Sequence, residues 1–118
     1  MNVFDNTELG LERAISGAAL RQTLLSNNLA NANTPGYQRQ DVNFHSVLGQ
    51  AMQTGDPATI ASAQFKPVTQ NQTMGADGNG VDVDVESADL AENGLEYESL
   101  VGVAKTRLDI LQYAMGAK

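Results

Sequence analysis

The chain has 118 residues and a formal charge of −7, with 14 acidic residues against 7 Lys and Arg. Because an acidic surface repels a phosphate backbone, this balance argues against nucleic acid as a partner. There is no cysteine and only 1 histidine, which excludes disulfide scaffolds, cysteine-ligated zinc sites and thiol nucleophiles.

The start of the chain carries no sign of a membrane or secretory segment. No apolar run approaches the roughly 18 residues that cross a bilayer, so we expect no direct membrane span. Residues 1–5 lack both the basic and the apolar region of a cleavable secretory signal. If the protein leaves the cytoplasm, we expect its export to proceed without a cleaved signal peptide.

The first predicted element is a long amphipathic helix from Glu8 to about Asn33. Asp5, with Glu8 three residues later, forms a capping-box-like start, and a Thr-Pro-Gly turn at 34–36 marks the end. The apolar residues recur at steps of four and three, which is a heptad-like period. They are Leu11, Ile15, Ala18, Leu25, Leu29 and Ala32.

The middle of the chain, residues 37–86, is predicted to be irregular with one short β element. Large apolar side chains are sparse between 49 and 80, and turn signals interrupt this stretch at 55–57 and 66–67. Such a segment is too polar to offset its ordering entropy alone. Val81, Val83 and Val85 alternate with acidic residues, which predicts a short, half-exposed strand.

The C-terminal segment, residues 87–118, is predicted to form a second heptad helix with Ser87 as its N-cap. Its main stripe steps alternately by four and three: Leu90, Gly94, Tyr97, Val101, Ala104, Leu108, Leu111 and Met115. A second stripe runs beside it: Leu100, Val103, Ile110 and Ala114. Two paired helices bury one seam each, so the second stripe needs another partner. The polar middle segment is a poor candidate, and other chains are therefore favoured.

These elements predict a mainly α fold, an elongated pair of long N- and C-terminal heptad helices joined by the middle segment. The expected units are 1–36, 37–86 and 87–118, forming one structural unit. A helix of about 28 residues is roughly 42 Å long. A compact globule of this length has a diameter of about 35 Å. The molecule should therefore be elongated.

No catalytic, cofactor or metal constellation is recognised. The stretch from Asp77 begins like a calcium loop but has Asp82 where the loop needs glycine and Ala88 where it needs glutamate. Three carboxylates, at 82, 84 and 86, would share one face of a strand. We expect that face to be exposed to solvent rather than to form a catalytic or magnesium site. His45 is expected to be structural, with Asp41 as its nearest orienting carboxylate in sequence. We therefore expect no enzyme activity.

One string is informative in its order and spacing. It comprises Asn28, Leu29, Ala30 and Asn31, followed by Thr34, Pro35, Gly36 and Tyr37. Four asparagines between 27 and 33 are unusual in a helix, because short amides compete for backbone hydrogen bonds. The string resembles the N-terminal signature of the bacterial flagellar axial proteins, the rod, hook and hook-associated family. The resemblance extends to the C-terminal half through residues 78–84, 90–93, Tyr97 and Leu100.

The resemblance implies a structural subunit of the flagellar basal-body rod in the periplasm, exported by the flagellar type III apparatus. The short connection between the helices is similar to that of proximal rod members. The implied partners are copies of itself, other rod proteins, the export apparatus and the basal-body base. The expected assembly interface combines apolar residues of both helices: Leu11, Ile15, Leu25, Leu29, Tyr97, Val101, Ala104, Leu108, Leu111 and Met115. Within this set, Leu11, Ile15, Leu25 and Leu29 are expected to pack against Val101, Ala104, Leu108 and Leu111.

Two alternatives remain open from the sequence. One is another member of the axial family. The other is a soluble helical adaptor or chaperone-like module that uses the same stripes to hold a single partner.

Overall fold

The computed structural model describes residues 5–70 and 80–116 and is mainly α-helical, as predicted. In chain order the elements are α1 (Asn6–Ala30), β1 (Gln40–Asp41), α2 (Phe44–Thr54), α3 (Pro57–Ala61), β2 (Val68–Thr69) and α4 (Val83–Gly116). The two strands pair antiparallel, with Gln40 opposite Thr69 and Asp41 opposite Val68.

The molecule is elongated, which confirms the expectation from helix length. Its principal extents are 66 × 26 × 14 Å and its radius of gyration is 17.8 Å. A compact chain of this length would have a radius of gyration of about 13.5 Å. The 34 residues of α4 account for most of the long dimension, since a helix of that length extends about 51 Å.

Helix α1 begins where the sequence predicts. The Asp5 carboxylate accepts a hydrogen bond from the Glu8 N–H at 2.9 Å, which satisfies one of the free amide groups of the first turn. The helix ends at Ala30, before the predicted Asn33. Beyond it the backbone changes to the tighter pattern in which the Ala32 N–H donates to the Leu29 carbonyl three residues earlier, at 3.2 Å. The Asn31 side chain also donates to the Asn27 carbonyl at 2.8 Å.

The middle of the chain is more regular than predicted, because α2 and α3 pack against α1. Asn43 caps α2 by accepting from the Ser46 N–H. Phe44 is buried over Gly17, where a Cβ atom would lie 2.6 Å from the ring. Ile60 of α3 is fully buried. A few apolar side chains placed against α1 thus stabilise a segment that its composition alone does not.

The predicted strand at 81–86 is wrong, and so is Ser87 as the helix N-cap. Helix α4 begins at Val83, and the carboxylate of Asp82 accepts hydrogen bonds from the Asp84 and Val85 N–H groups at 3.0 and 3.2 Å. Asp82 therefore performs the capping role. The acidic residues that suggested an exposed strand face instead lie in the first helical turn, where the helix dipole favours negative charge.

Candidate assembly interface

The two long helices form an antiparallel hairpin whose register is defined by polar contacts. Asn28 near the end of α1 contacts Glu86 near the start of α4. Asn93 contacts α1 about two turns earlier, at Ala18 and Gln22. Arg107 donates to Glu8 at the start of α1 at 2.9 Å.

Residues on one side of α4 fall on three parallel lines, in each of which the residues are seven positions apart. The inner line, which faces α1, consists of Glu86, Asn93, Leu100 and Arg107. The middle line consists of Leu90, Tyr97, Ala104 and Leu111. The outer line consists of Gly94, Val101, Leu108 and Met115. Since each residue turns the helix by 100°, the inner and outer lines lie about 100° apart.

The seam between the helices differs from the sequence-based interpretation. The apolar pattern predicts that α1 packs against residues of the middle and outer lines, Val101, Ala104, Leu108 and Leu111. In the structure it is the inner line that contacts α1, and the middle line is half-buried except for the exposed Tyr97. Glu86 and Asn93 are 1% and 0% exposed, whereas Leu108 and Met115 are 49% and 75% exposed. Within the described part of α4, Glu86 and Asn93 are the buried residues, and both are polar.

Asn28 is the centre of the polar network that closes the hairpin at this end. Its Nδ2 donates to the Gln40 carbonyl at 2.8 Å and to Glu86 Oε2 at 3.3 Å. Its Oδ1 accepts from the Gln40 N–H at 2.9 Å and from the Tyr37 hydroxyl at 3.2 Å. The buried amide therefore uses its full hydrogen-bonding capacity, joining α1, the following loop and α4.

Charged groups continue this network beside Asn28. Arg39 is buried and its Nε pairs with Glu86, while its Nη2 reaches Asp41 Oδ2 at 3.3 Å. Arg21 contacts the same Asp41 carboxylate through Nε at 2.9 Å. Two arginines thus share two carboxylates across three segments of the chain.

The pKa values in this network follow from the pairing. Burial lowers the pKa of Arg39, but the hydrogen bonds and charges of Glu86 and Asp41 together outweigh burial and leave the pKa raised. Burial likewise opposes ionisation of Asp41, yet the hydrogen bonds from Arg21 and the Val42 N–H hold the pKa of Asp41 below its usual value. The hydrogen bond to Asp41 raises the pKa of Arg21. Asp41 and the two arginines are thereby stabilised in their charged forms.

The asparagine-rich motif, residues 28–37, forms this end of the hairpin. Asn28 is buried and Leu29 is half-buried, whereas Ala30 is exposed. The Thr34 hydroxyl donates to Asn31 Oδ1 at 3.1 Å. In the exposed turn that follows Thr34, Pro35 precedes Gly36, whose φ of +76° is a conformation that disfavours other residues. Tyr37 then returns the chain to Asn28.

The residues predicted for the assembly interface fall into two groups. Leu25 is fully buried inside the subunit, and five others are half-buried. These five are Leu11, Ile15, Leu29, Ala104 and Leu111. The exposed group consists of Tyr97, Val101, Leu108 and Met115. The antiparallel register also places Leu25 and Leu29 beside the first turns of α4, away from Val101 to Leu111.

Sequence reasoning missed the roles of Glu86, Arg39 and Asn93. Glu86 was assigned to a solvated strand face, but it is 1% exposed and paired with Arg39. Asn93 lies seven residues after Glu86 and seven before Leu100. That spacing is the signal that could have identified a polar heptad line, although the partner Arg39 lies 47 residues from Glu86.

The other chemical candidates are occupied by structural contacts. His45 stacks on Phe44, with ring centroids 4.0 Å apart, and its Nε2 contacts Glu96 rather than Asp41. Asp77, the start of the calcium-loop-like stretch, lies outside the described residues. Across residues 5–70 and 80–116, no group of acidic or histidine side chains is arranged to hold a metal ion. No helix in that part of the chain is both long and apolar enough to cross a bilayer.

Comparison with known proteins gives a consistent result. A family model described as "Flagella basal body rod protein" matches residues 11–38. The chain is 35% identical to the flagellar basal body rod protein FlgB of Escherichia coli (strain K12), over 86% of this chain and 89% of the relative. It is 32% identical to FlgB of Bacillus subtilis (strain 168), over 86% of each chain. FlgB of Yersinia enterocolitica is 34% identical over 86% of this chain and 90% of the relative.

Proposed function

The chain belongs to the FlgB family of flagellar basal-body rod proteins and is a structural subunit of that rod, and from this premise we propose that its terminal helices assemble it into a helical, tubular polymer. The observation that carries the proposal is the exposed apolar surface on the second half of α4. Val101, Leu108 and Met115 are 39%, 49% and 75% exposed along the outer line.

The spacing of this surface defines what fits it. Val101, Leu108 and Met115 repeat every seven residues beside the partly exposed middle line. An apolar heptad line accepts the knobs of a second amphipathic helix packed at a shallow angle. Further exposed apolar residues, Val103, Ile110 and Tyr113, lie on other faces of the same helix. One α4 therefore offers contacts to more than one neighbour, as a helical lattice with non-closing interfaces requires.

The partners and location follow from this arrangement as parts of the proposal. We propose that the neighbours are copies of this chain and other rod proteins, and that the rod stands in the periplasm on the basal-body base. Delivery would use the flagellar type III apparatus. The relatives are named as rod proteins, and we propose a structural, non-enzymatic role for this chain as well.

Leu108→Asp tests the proposal. A carboxylate in an apolar helix–helix seam is costly to desolvate, so we expect the variant to be made and exported normally but to abolish rod formation and swimming. Ser16→Asp is the matched control, because it adds the same charge at an exposed position of α1, away from the apolar surfaces of α4.

The measurements are swimming in a strain lacking the chromosomal copy, and recovery of the chain with isolated basal bodies. Normal flagella with Leu108→Asp would contradict assembly through the outer line. Recovery of the wild-type chain only in an equimolar soluble complex, and never with basal bodies, would contradict polymer assembly and favour the adaptor alternative.

A further inference from the structure

We infer that Glu86 and Asn93 are orienting residues of the hairpin, which select the face and the register with which α4 meets α1 and so keep the outer line outside. The selection concerns the folded subunit itself and goes beyond the proposed function. Only its last consequence, that the outer line is kept free for neighbouring subunits, rests on that proposal.

Apolar contact alone does not choose the observed face. The middle and outer lines together form the most apolar side of α4, and burial of apolar area is the main favourable contribution to packing. The inner line contains Glu86, Asn93 and Arg107 in three of its four positions. Nevertheless the inner line faces α1, and Leu108 of the outer line is 49% exposed.

Two buried polar contacts explain this choice. Glu86 is held by Arg39 Nε and Asn28 Nδ2. Asn93 Nδ2 donates to the Ala18 carbonyl and to Gln22 Oε1, both at 2.8 Å. Turning α4 by about 100° to bury the outer line would remove both contacts and deprive the buried Arg39 of its main carboxylate.

The same contacts distinguish one register from the next. A slip of seven residues leaves three of the four middle-line positions apolar, because Tyr97, Ala104 and Leu111 move to the positions of Leu90, Tyr97 and Ala104. Only the position of Leu111, near the end of the helix, would receive a charged residue, Lys118. On the inner line the slip is not neutral, since it brings Asn93 to the position of Glu86 and Leu100 to the position of Asn93. A single buried polar residue is known to fix register in this way in heptad helices.

Asn93 also has a feature that is typical of a residue that contributes specificity at some cost in stability. Its Oδ1 is buried and has no hydrogen-bond partner among the described residues. A buried acceptor without a partner lowers stability, and an apolar side chain of similar size would not. The two hydrogen bonds that Nδ2 donates offset this cost. The amide therefore adds little net stability, while it fixes which groups of α1 it contacts.

The experiment combines Asn93→Leu, alone and together with Glu86→Gln, with two reporters in the full chain, which has no native cysteine. The pair L11C/A104C reports the native register through a short bismaleimide cross-link, and the pair L11C/L111C reports a slip of one heptad. A single V101C reports the face of α4 through its rate of thiol labelling. Asn27→Leu, the same change at an exposed position of α1, is the matched control. Samples are the purified chain and basal bodies from complemented cells, and the mass of the product separates cross-links within one chain from those between chains.

We expect Asn93→Leu to keep its helical circular dichroism. We expect the L11C/L111C product to rise from undetectable to at least about a tenth of all intramolecular product when Glu86→Gln is added, because Glu86 alone still opposes the slip. We also expect slower labelling of V101C, because the outer line spends part of its time against α1. Asn27→Leu and the conservative Asn93→Gln should behave as wild type.

Native cross-links alone in the variant with both Asn93→Leu and Glu86→Gln, with V101C labelled at the wild-type rate, would overturn the inference. If Asn93→Leu loses its helical signal, the same readouts are taken on Asn93→Ala, which adds no volume. Loss of helix in both variants would also overturn it, because Asn93 would then be required for folding rather than for orientation. Swimming is scored separately, so failure of the cross-link prediction leaves the rod assignment intact, and failure of Leu108→Asp leaves the orientation intact.

Discussion

The two ends of the hairpin differ in which kind of side chain they bury and which kind they expose. At the closed end, defined by Asn28, Tyr37, Arg39, Asp41 and Glu86, polar groups are buried and satisfied within the subunit. At the open end, residues 101–116 of α4, apolar side chains are exposed. A self-sufficient domain buries apolar groups and solvates charged ones. The reversal indicates that the closed end makes the subunit's own fold and that the open end is completed by something else.

The largest expected effect is loss of the charge at the closed end. Glu86→Gln removes the negative charge beside the buried Arg39 and leaves Asp41, at 3.3 Å, as the carboxylate that contacts it. We expect the free energy of unfolding to fall by about 3 kcal/mol, near the lower end of the effect of breaking a buried ion pair. Urea denaturation followed by circular dichroism measures the change. The exposed Glu98→Gln on the same helix should stay within about 0.5 kcal/mol of wild type, and equal losses in both variants would contradict the distinction.

A pair of glycine substitutions sharpens the comparison. In Gly17→Ala the new methyl group would lie 2.6 Å from the Phe44 ring, so α1 and α2 must separate. We expect a loss of about 1–3 kcal/mol. Gly102→Ala in the exposed part of α4 meets nothing within 4 Å and should gain up to about 1 kcal/mol from helix propensity. Thermal unfolding of the two variants should therefore shift in opposite directions, and a shift in the same direction would count against the packing described here.

The smallest expected effect is a pH dependence at Asp41. Its pKa is lowered in the folded chain, so the folded state binds a proton less readily than the unfolded state. The stabilisation is complete above the unfolded value of about 3.9 and is lost as the pH falls through the folded value. Asp41→Asn should flatten this part of the profile of unfolding free energy against pH, whereas the exposed Asp109→Asn should not. An unchanged slope in Asp41→Asn would show that other carboxylates account for the dependence of the unfolding free energy on pH.

Local signals made most of the architecture predictable. The Asp5 cap and the heptad periods predict both long helices, and their lengths predict the elongated shape. The start of α4 was missed because Asp82 to Glu86 alternate as an exposed strand would, while the deciding contact is a cap between Asp82 and the next amides. A capped helix start and an alternating exposed strand can have the same order of acidic and apolar residues. Only the backbone geometry distinguishes the two structures.

The candidate site was less predictable, for a physical reason. Periodicity ranks the faces of a helix by apolar content, and on α4 this ranking favours the side formed by the middle and outer lines. The face used within the subunit is chosen by Arg39, which lies 47 residues before Glu86 in the sequence. No local pattern reports such a pairing. The motif at 28–37 was identified, but its role in satisfying the Asn28 amide depends on a tertiary contact between Tyr37 and α1.

The arrangement of lines on α4 gives the two sides of one helix different responses to solvent conditions. Contacts between apolar side chains weaken on cooling and strengthen in sulfate or phosphate, because both depend on the hydration of apolar surface. The buried pairing of Arg39 with Glu86 is screened little by salt, and its strength does not depend on apolar hydration. In the proposed assembly, cold and the absence of sulfate or phosphate should therefore loosen contacts of the outer line with neighbouring subunits before they loosen α4 from α1. A rod built from such helices would come apart into intact hairpins.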